Sequence, residues 1–269
     1  MIQKVVIRDN KKTPVRYLNE LKAFKNGGEY VFTPGVNVIV GENGCGKTTL
    51  MKLIQAYMLV GQQQCDESKV SDLFDSFRLK CNEEMLDGVE VFADYETNVF
   101  RLAHPDEYKG ERGIGLQSFA NFGAMGMMYQ SSTGERVTVA LNNLWKLMFS
   151  EDAVLTFPQL NGWRLEKYGA YLDYVKKHKV EQEEREWTIL MDEPDNNLDI
   201  ENIKQIRSIL SFHKPQTQVI AVVHNPLLIV SLSRNPEVNM IEMTRGYVKK
   251  VESLVTELVG GKTRKYVKE

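Results

Sequence analysis

The chain alternates between short apolar runs and longer stretches in which apolar residues return at helical spacing. Val36-Asn37-Val38-Ile39-Val40, Ile189 to Met191 and Val219 to Val223 are runs of the first kind. Such runs are what strands covered on both faces look like, as in a parallel sheet. Leu50, Leu53, Ile54, Tyr57 and Met58 recur at helical spacing, and so do Ile203, Ile206 and Leu210. That period gives a helix one buried face. Strand and helix in alternation predict an α/β fold around a mostly parallel central sheet.

The flanking segments extend the picture. Strands are expected near Lys4–Ile7 and Glu29–Phe32, with a turn at Asn26-Gly27-Gly28. The segment 88–101 reads as a hairpin turning near Thr97-Asn98. Residues 1–40 and 88–101 therefore suggest an N-terminal antiparallel β subdomain. Residues 103–130 are irregular and rich in Gly and Met. An amphipathic helix starts at Val137 and carries Leu141, Leu144, Trp145 and Met148 on one face. A second pattern over 164–186 (Leu165, Tyr168, Leu172, Val175) ends in a charge run that reads as a solvated helix face. About 103–186 is thus a helical lobe, and the core resumes over about 187–250. A hairpin is expected around Arg245-Gly246, before a basic tail. The whole, residues 1–269, reads as one domain.

The first candidate chemistry lies where the Val36–Val40 run ends. Gly41-Glu42-Asn43-Gly44-Cys45-Gly46-Lys47-Thr48 fits G-x-x-x-x-G-K-[ST], the Walker A phosphate-binding loop. It stands between a predicted strand and a predicted helix, the setting that this motif needs. Glycines let backbone N–H groups turn inward onto phosphate oxygens, and the helix N-terminus adds positive potential. Asn43 to Thr49 would line the phosphates of a nucleoside triphosphate. Lys47 would reach the β- and γ-phosphates, and the Thr48 hydroxyl would ligate Mg²⁺. Cys45 is either a small residue that fits or a thiol whose oxidation would block the loop.

The second is Asp192-Glu193, at the end of the next apolar run. Ligands of α/β sheets sit beyond the carboxyl ends of the strands. Two carboxylates there can divide labour: Asp192 holds Mg²⁺, and Glu193 orients and deprotonates the attacking water. The plain alternative is a solvated acidic turn.

Asp192 to Asp199, D-E-P-D-N-N-L-D, resembles the Walker B, catalytic glutamate and D-loop of ABC-type ATPases. Val219 to His224 is similar to the last core strand and switch histidine of that family, and Ser131-Ser132-Thr133-Gly134-Glu135 to its signature sequence. Ser132 and Glu135 also form a capping box, which needs no further role. The resemblance implies a P-loop NTPase core of ABC type. It implies that Ser132, Gly134 and Glu135 complete the ATP site of a second subunit, that Asp199 reaches across the dimer and that His224 senses the γ-phosphate. Gln117 is one candidate for the metal-contacting Q-loop glutamine, with Gln62, Gln63 and Gln64 as others. Tyr30 or Phe32 either stacks on adenine or packs its strand.

Charge changes little: 34 basic against 36 acidic residues give a net −2, which argues against bulk non-specific nucleic-acid binding. No apolar stretch approaches the ~20 residues of a membrane span, and the N-terminus lacks a signal-peptide core. Three cysteines without metal or disulfide spacing fit a reducing cytoplasm. The spelling P-G-V-N-V-I-V-G-E-N-G-C-G-K-T-T-L and the S-T-G-E signature resemble the SMC, RecF and overcoming-lysogenization-defect branch. Gly134 and Asp192 stand 58 residues apart (192 − 134), wide for a compact transporter subunit. No heptad arm and no appended nuclease are visible. The resemblance implies an ATP-driven homodimer acting with an effector protein, in DNA maintenance or anti-phage defence, with DNA as a possible ligand. A transporter's nucleotide-binding subunit is the alternative.

Overall fold

Val38, Ile39 and Val40 are fully buried, and so are Ile220, Ala221 and Val222 beside them. These are the centre of a parallel sheet in a computed structural model that describes residues 1–7, 21, 27–61, 89–94, 98–102, 187–196, 198–211 and 217–259. The elements run in the order β1 (Ile2–Ile7), β2 (Gly28–Val31), β3 (Val36–Val40), α1 (Lys47–Gly61), β4 (Val89–Ala93) and β5 (Asn98–Leu102). Then follow β6 (Trp187–Asp192), α2 (Ile200–Ile209), β7 (Thr217–Val222), α3 (Pro226–Ser233), β8 (Val238–Glu242) and α4 (Tyr247–Val259).

Five strands form the central sheet in the order β5-β6-β7-β3-β8. Every pairing in it is parallel. Registers set Asp192 beside Val222, Ile39 beside Val222 and Val40 beside Glu242. The carboxyl ends of β3, β6, β7 and β8 therefore open on one rim.

The two-residue period of a strand sorts side chains onto two faces. Val36, Val38 and Val40, with Ile189, Met191, Val219, Ala221 and Val223, share a core with α2, α3 and α4. Ile203 and Ile206 of α2, Leu228, Ile229 and Leu232 of α3, and Val248 and Val251 of α4 cover that face. Asn37, Thr188, Asp192 and Gln218 have the opposite parity and belong to the other face.

A smaller antiparallel sheet, β2-β1-β4, is tied to that second face by buried amides. Gln218 Oε1 accepts the Ile2 N–H at 2.8 Å, and Gln218 Nε2 donates to Ile2 O at 2.7 Å and Thr33 O at 3.0 Å. Asn37 Oδ1 accepts the Thr33 N–H at 2.8 Å and the Asn239 amide at 2.9 Å. A buried amide without partners costs about 1–3 kcal/mol, so these bonds fix how the sheets meet.

Two expected hairpins do not form among the described residues. β4 pairs with β1 in the antiparallel sheet, whereas β5 pairs with β6 in the parallel one. Alternation reveals a strand but not its partner, and 88–101 is split between two sheets. At Arg245-Gly246 the chain does turn, with Gly246 at φ +76°. It turns into helix α4 instead of a strand, because Val248, Val251 and Val255 return at helical spacing against the core. The expected helices at 137–148 and 164–186, and the rest of the helical lobe, lie outside the described residues. Among the described residues no helix is long and apolar enough to cross a membrane.

Candidate functional site

β3 runs straight into the glycine loop, and α1 begins at Lys47. Gly44 and Gly46 adopt φ +76° and +108°, backbone that a side chain resists. Gly41 answers a different demand. A Cβ there would stand 2.8 Å from Cys45 Sγ and 3.2 Å from Thr244 Oγ1. Cys45 is buried, so its sulfur fills the inside of the loop against Gly41. Asn43 and Gly44 lie exposed at the tip, and Thr48 and Thr49 are half-buried in the first turn of α1.

Lys47 is almost wholly buried. Its Nζ donates to Gly41 O at 2.9 Å and to Glu42 O at 3.1 Å, which folds the ammonium back across the loop. The loop is also anchored from the β8–α4 turn. Glu42 N donates to Thr244 Oγ1 at 3.2 Å, and Glu42 Oε1 lies 2.9 Å from Lys250 Nζ. That hydrogen bond and charge hold the exposed Lys250 ammonium above its ordinary pKa.

β6 brings the carboxylates. The parity of the strand puts Asp192 on the α1 face, where Thr48 Oγ1 donates to Asp192 Oδ1 at 3.2 Å. Asp192 is only 1% exposed. The next residue, Glu193, has φ +52°, a left-handed backbone that non-glycine residues rarely adopt. The turn is held from both sides: Glu193 N donates to Val222 O at 3.2 Å, and Asn196 N to Glu193 O at 3.1 Å. Glu193 Oε1 stands 3.0 Å from His224 Nε2, and Oε2 accepts from Asn196 Nδ2 at 3.3 Å.

Asp195 was not singled out by sequence reasoning. Its Oδ2 accepts the backbone N–H of His224 at 2.8 Å and also that of Asn225. Burial pushes its carboxyl pKa up, and the two N–H groups pull part of the way back. Asn225 in turn caps α3, its Oδ1 accepting the N–H groups of Leu227 and Leu228, with Pro226 in the first turn. The Asn-Pro pair was a readable helix start. The contact of Asp195 with His224 had no local signal, since 29 residues separate them.

Lys47, Thr48, Asp192, Glu193 and His224 thus gather on one rim of the sheet. Asp199 does not join them in these contacts. It is exposed and caps α2, its side chain accepting the Asn202 N–H at 2.8 Å. Ser132, Gly134, Glu135 and Gln117 lie outside the described residues, as do Gln62, Gln63 and Gln64. Tyr30 and Phe32 are buried, and burial, with a smaller contribution from Cys45, pushes the Tyr30 hydroxyl up to about 12. Both pack their sheet, the second of the two roles considered for them.

As a metal site, the described residues supply hard oxygen donors, the Thr48 hydroxyl and the Asp192 carboxylate. No group of three or more His, Cys, Asp or Glu among the described residues could enclose an ion. That donor set fits a cation such as Mg²⁺, which keeps several waters and takes further ligands from a phosphate substrate.

The family described as an AAA domain matches residues 17–211. Among solved structures, the chain is similar to the ATP-binding cassette MJ0796, described as the dimeric structure of a post-hydrolysis state bound to ADP and Pi. Identity is 14%, the match covers 90% of this chain and 97% of that one, and the TM-score is 0.37. No curated protein matches the chain.

Proposed function

The chain belongs to the AAA domain family, and from that premise we propose that it binds and hydrolyses ATP at the rim formed by the ends of β3, β6 and β7. One observation carries the reading. Thr48 and Asp192, and Glu193 and His224, arrive from separate elements yet meet at 3.2 Å and 3.0 Å. A solvated acidic turn would have no reason to bury Asp192 against the first turn of the helix after a glycine loop.

In this reading the N–H groups of Asn43 to Thr49 and the Lys47 ammonium bind the phosphates. Lys47 exchanges the carbonyls of Gly41 and Glu42 for the β- and γ-phosphate oxygens. Thr48 and Asp192, with Gln117 as a further candidate, would hold Mg²⁺, which would supply positive charge beside the phosphates. Glu193 accepts the proton of the attacking water, and the water oxygen forms the new bond to the γ-phosphorus. ADP leaves with the electrons of the broken bond. His224 hydrogen-bonds the γ-phosphate and the water. Its contact with Glu193 keeps base and sensor in one place before substrate arrives.

The resemblance of the motif spelling supports a finer reading. Two copies sandwich two ATP molecules, each loop facing Ser132, Gly134 and Glu135 of the other copy, with Asp199 at the seam. The dimer drives an effector protein in DNA maintenance or anti-phage defence, and ATP loss releases it. Sizing chromatography of Glu193→Gln with saturating Mg·ATP tests the sandwich. An ATP-dependent dimer is expected. A monomer under saturating nucleotide would overturn it.

A further inference from the structure

One buried carboxylate ties together the two loops that carry Glu193 and His224. Asp195 is 6% exposed, so it is screened from water. A single oxygen, Oδ2, takes the N–H groups of two consecutive residues, His224 and Asn225. Its other oxygen, Oδ1, is buried with no hydrogen-bond partner among the described residues. Burying a carboxylate against its desolvation cost is an expensive way to close a loop. The loop it closes is the one that aims the His224 ring at Glu193 Oε1. Asp195 itself stands two residues past Glu193, inside the turn that the Asn196 N–H closes onto Glu193 O.

We infer that Asp195 is a positioning residue that holds His224 in register with Glu193 by clamping the His224 and Asn225 amides. This rests on the proposed ATPase reading for its kinetic consequence but not for its geometry. Displacing the 193–196 turn moves the His224 backbone with it, because both ends share one carboxylate. The α3 cap follows, since Asn225 is also the residue whose side chain starts that helix.

Two measurements test it. The first is amide hydrogen exchange on the nucleotide-free protein. Asp195→Ala should cost the His224 and Asn225 amides on the order of tenfold to a hundredfold in protection, as expected for losing a bond to a charged acceptor. Ile220 in β7 should not change. Unaltered protection at His224 and Asn225 would overturn the clamp, whether or not the protein hydrolyses ATP. The second is steady-state ATP turnover. Asp195→Ala should lower kcat by about a hundredfold, the scale of a misplaced reacting group, and leave KM within about threefold. Asp195→Asn retains an acceptor oxygen and should recover kcat to within about tenfold of wild type. In a His224→Ala background, Asp195→Ala should add almost nothing. Additive losses, or a KM that rises while kcat holds, would show a merely structural role. Absence of turnover in the wild type would remove the ATPase reading and leave the exchange result standing.

Discussion

Glu193 Oε1 and His224 Nε2 stand 3.0 Å apart, at the ends of neighbouring strands. The contact depends on Glu193 adopting φ +52°. Left-handed backbone at a non-glycine residue costs about 1–3 kcal/mol and persists only where the surroundings fix it. Here Val222 O, Asn196 and His224 all engage the residue.

The pairing predicts separable effects on binding and chemistry. His224→Ala removes a partner of the water and the γ-phosphate but leaves the glycine loop and Lys47 intact. Turnover should fall by about 10²-fold or more, the usual contribution of a group acting on the transferred proton or charge. Affinity for ATP, read by isothermal titration, should change little. A matching loss of affinity would place His224 in ground-state binding.

Gly41 makes a steric prediction. Gly41→Ala puts a methyl 2.8 Å from Cys45 Sγ and 3.3 Å from Met243 Cβ, so the loop or the sulfur must shift. Overpacking of this kind costs about 1–3 kcal/mol. Thermal denaturation should show the loss, and ATP affinity should fall because the loop is displaced. Cys45→Ala in the same chain should restore part of both, since it removes the atom that is struck. No recovery in the double variant would mean that Thr244 or Met243, and not Cys45, sets the limit.

Asp195 predicts a pH dependence with a definite sign. Its folded pKa is raised from 3.8, chiefly by burial. The native state therefore holds this proton more tightly than the unfolded chain. Between 3.8 and the raised value, unfolding releases a proton, so stability falls as pH rises through that window. Above it the ionised carboxylate carries its full burial cost. Asp195→Asn removes that cost, and its stability relative to wild type should be greatest near neutral pH and shrink as pH falls toward 3.8. Urea denaturation across the range measures it. A difference that grows on acidification would contradict the assignment.

How far the sequence carried the fold can be judged from particular residues. Val36–Val40 and Val219–Val223 announced themselves because strands buried on both faces need no polar alternation. Lys47, Thr48 and Asp192 were legible because each follows such a strand within a few residues. The partner of β4 was not legible. Val89 and Val91 alternate as in any half-buried strand, and nothing local says that the chain then leaves for another sheet. Gln218 and Asn37 were invisible for a related reason: a polar residue inside an apolar run, like Asn37, or at its edge, like Gln218, reads as noise until the backbone groups it satisfies, Ile2 and Thr33, are brought beside it. Asp195 failed the same way, since its partners are amides set by tertiary structure.

The central claim is that Glu193 is the base for ATP hydrolysis. Glu193→Gln keeps the shape and the contact with Asn196 but cannot take a proton. ATP turnover and ATP binding measured on the same preparation decide the matter. The account predicts binding close to wild type with turnover lowered by about 10²–10⁴-fold. Hydrolysis near the wild-type rate in that variant would contradict it.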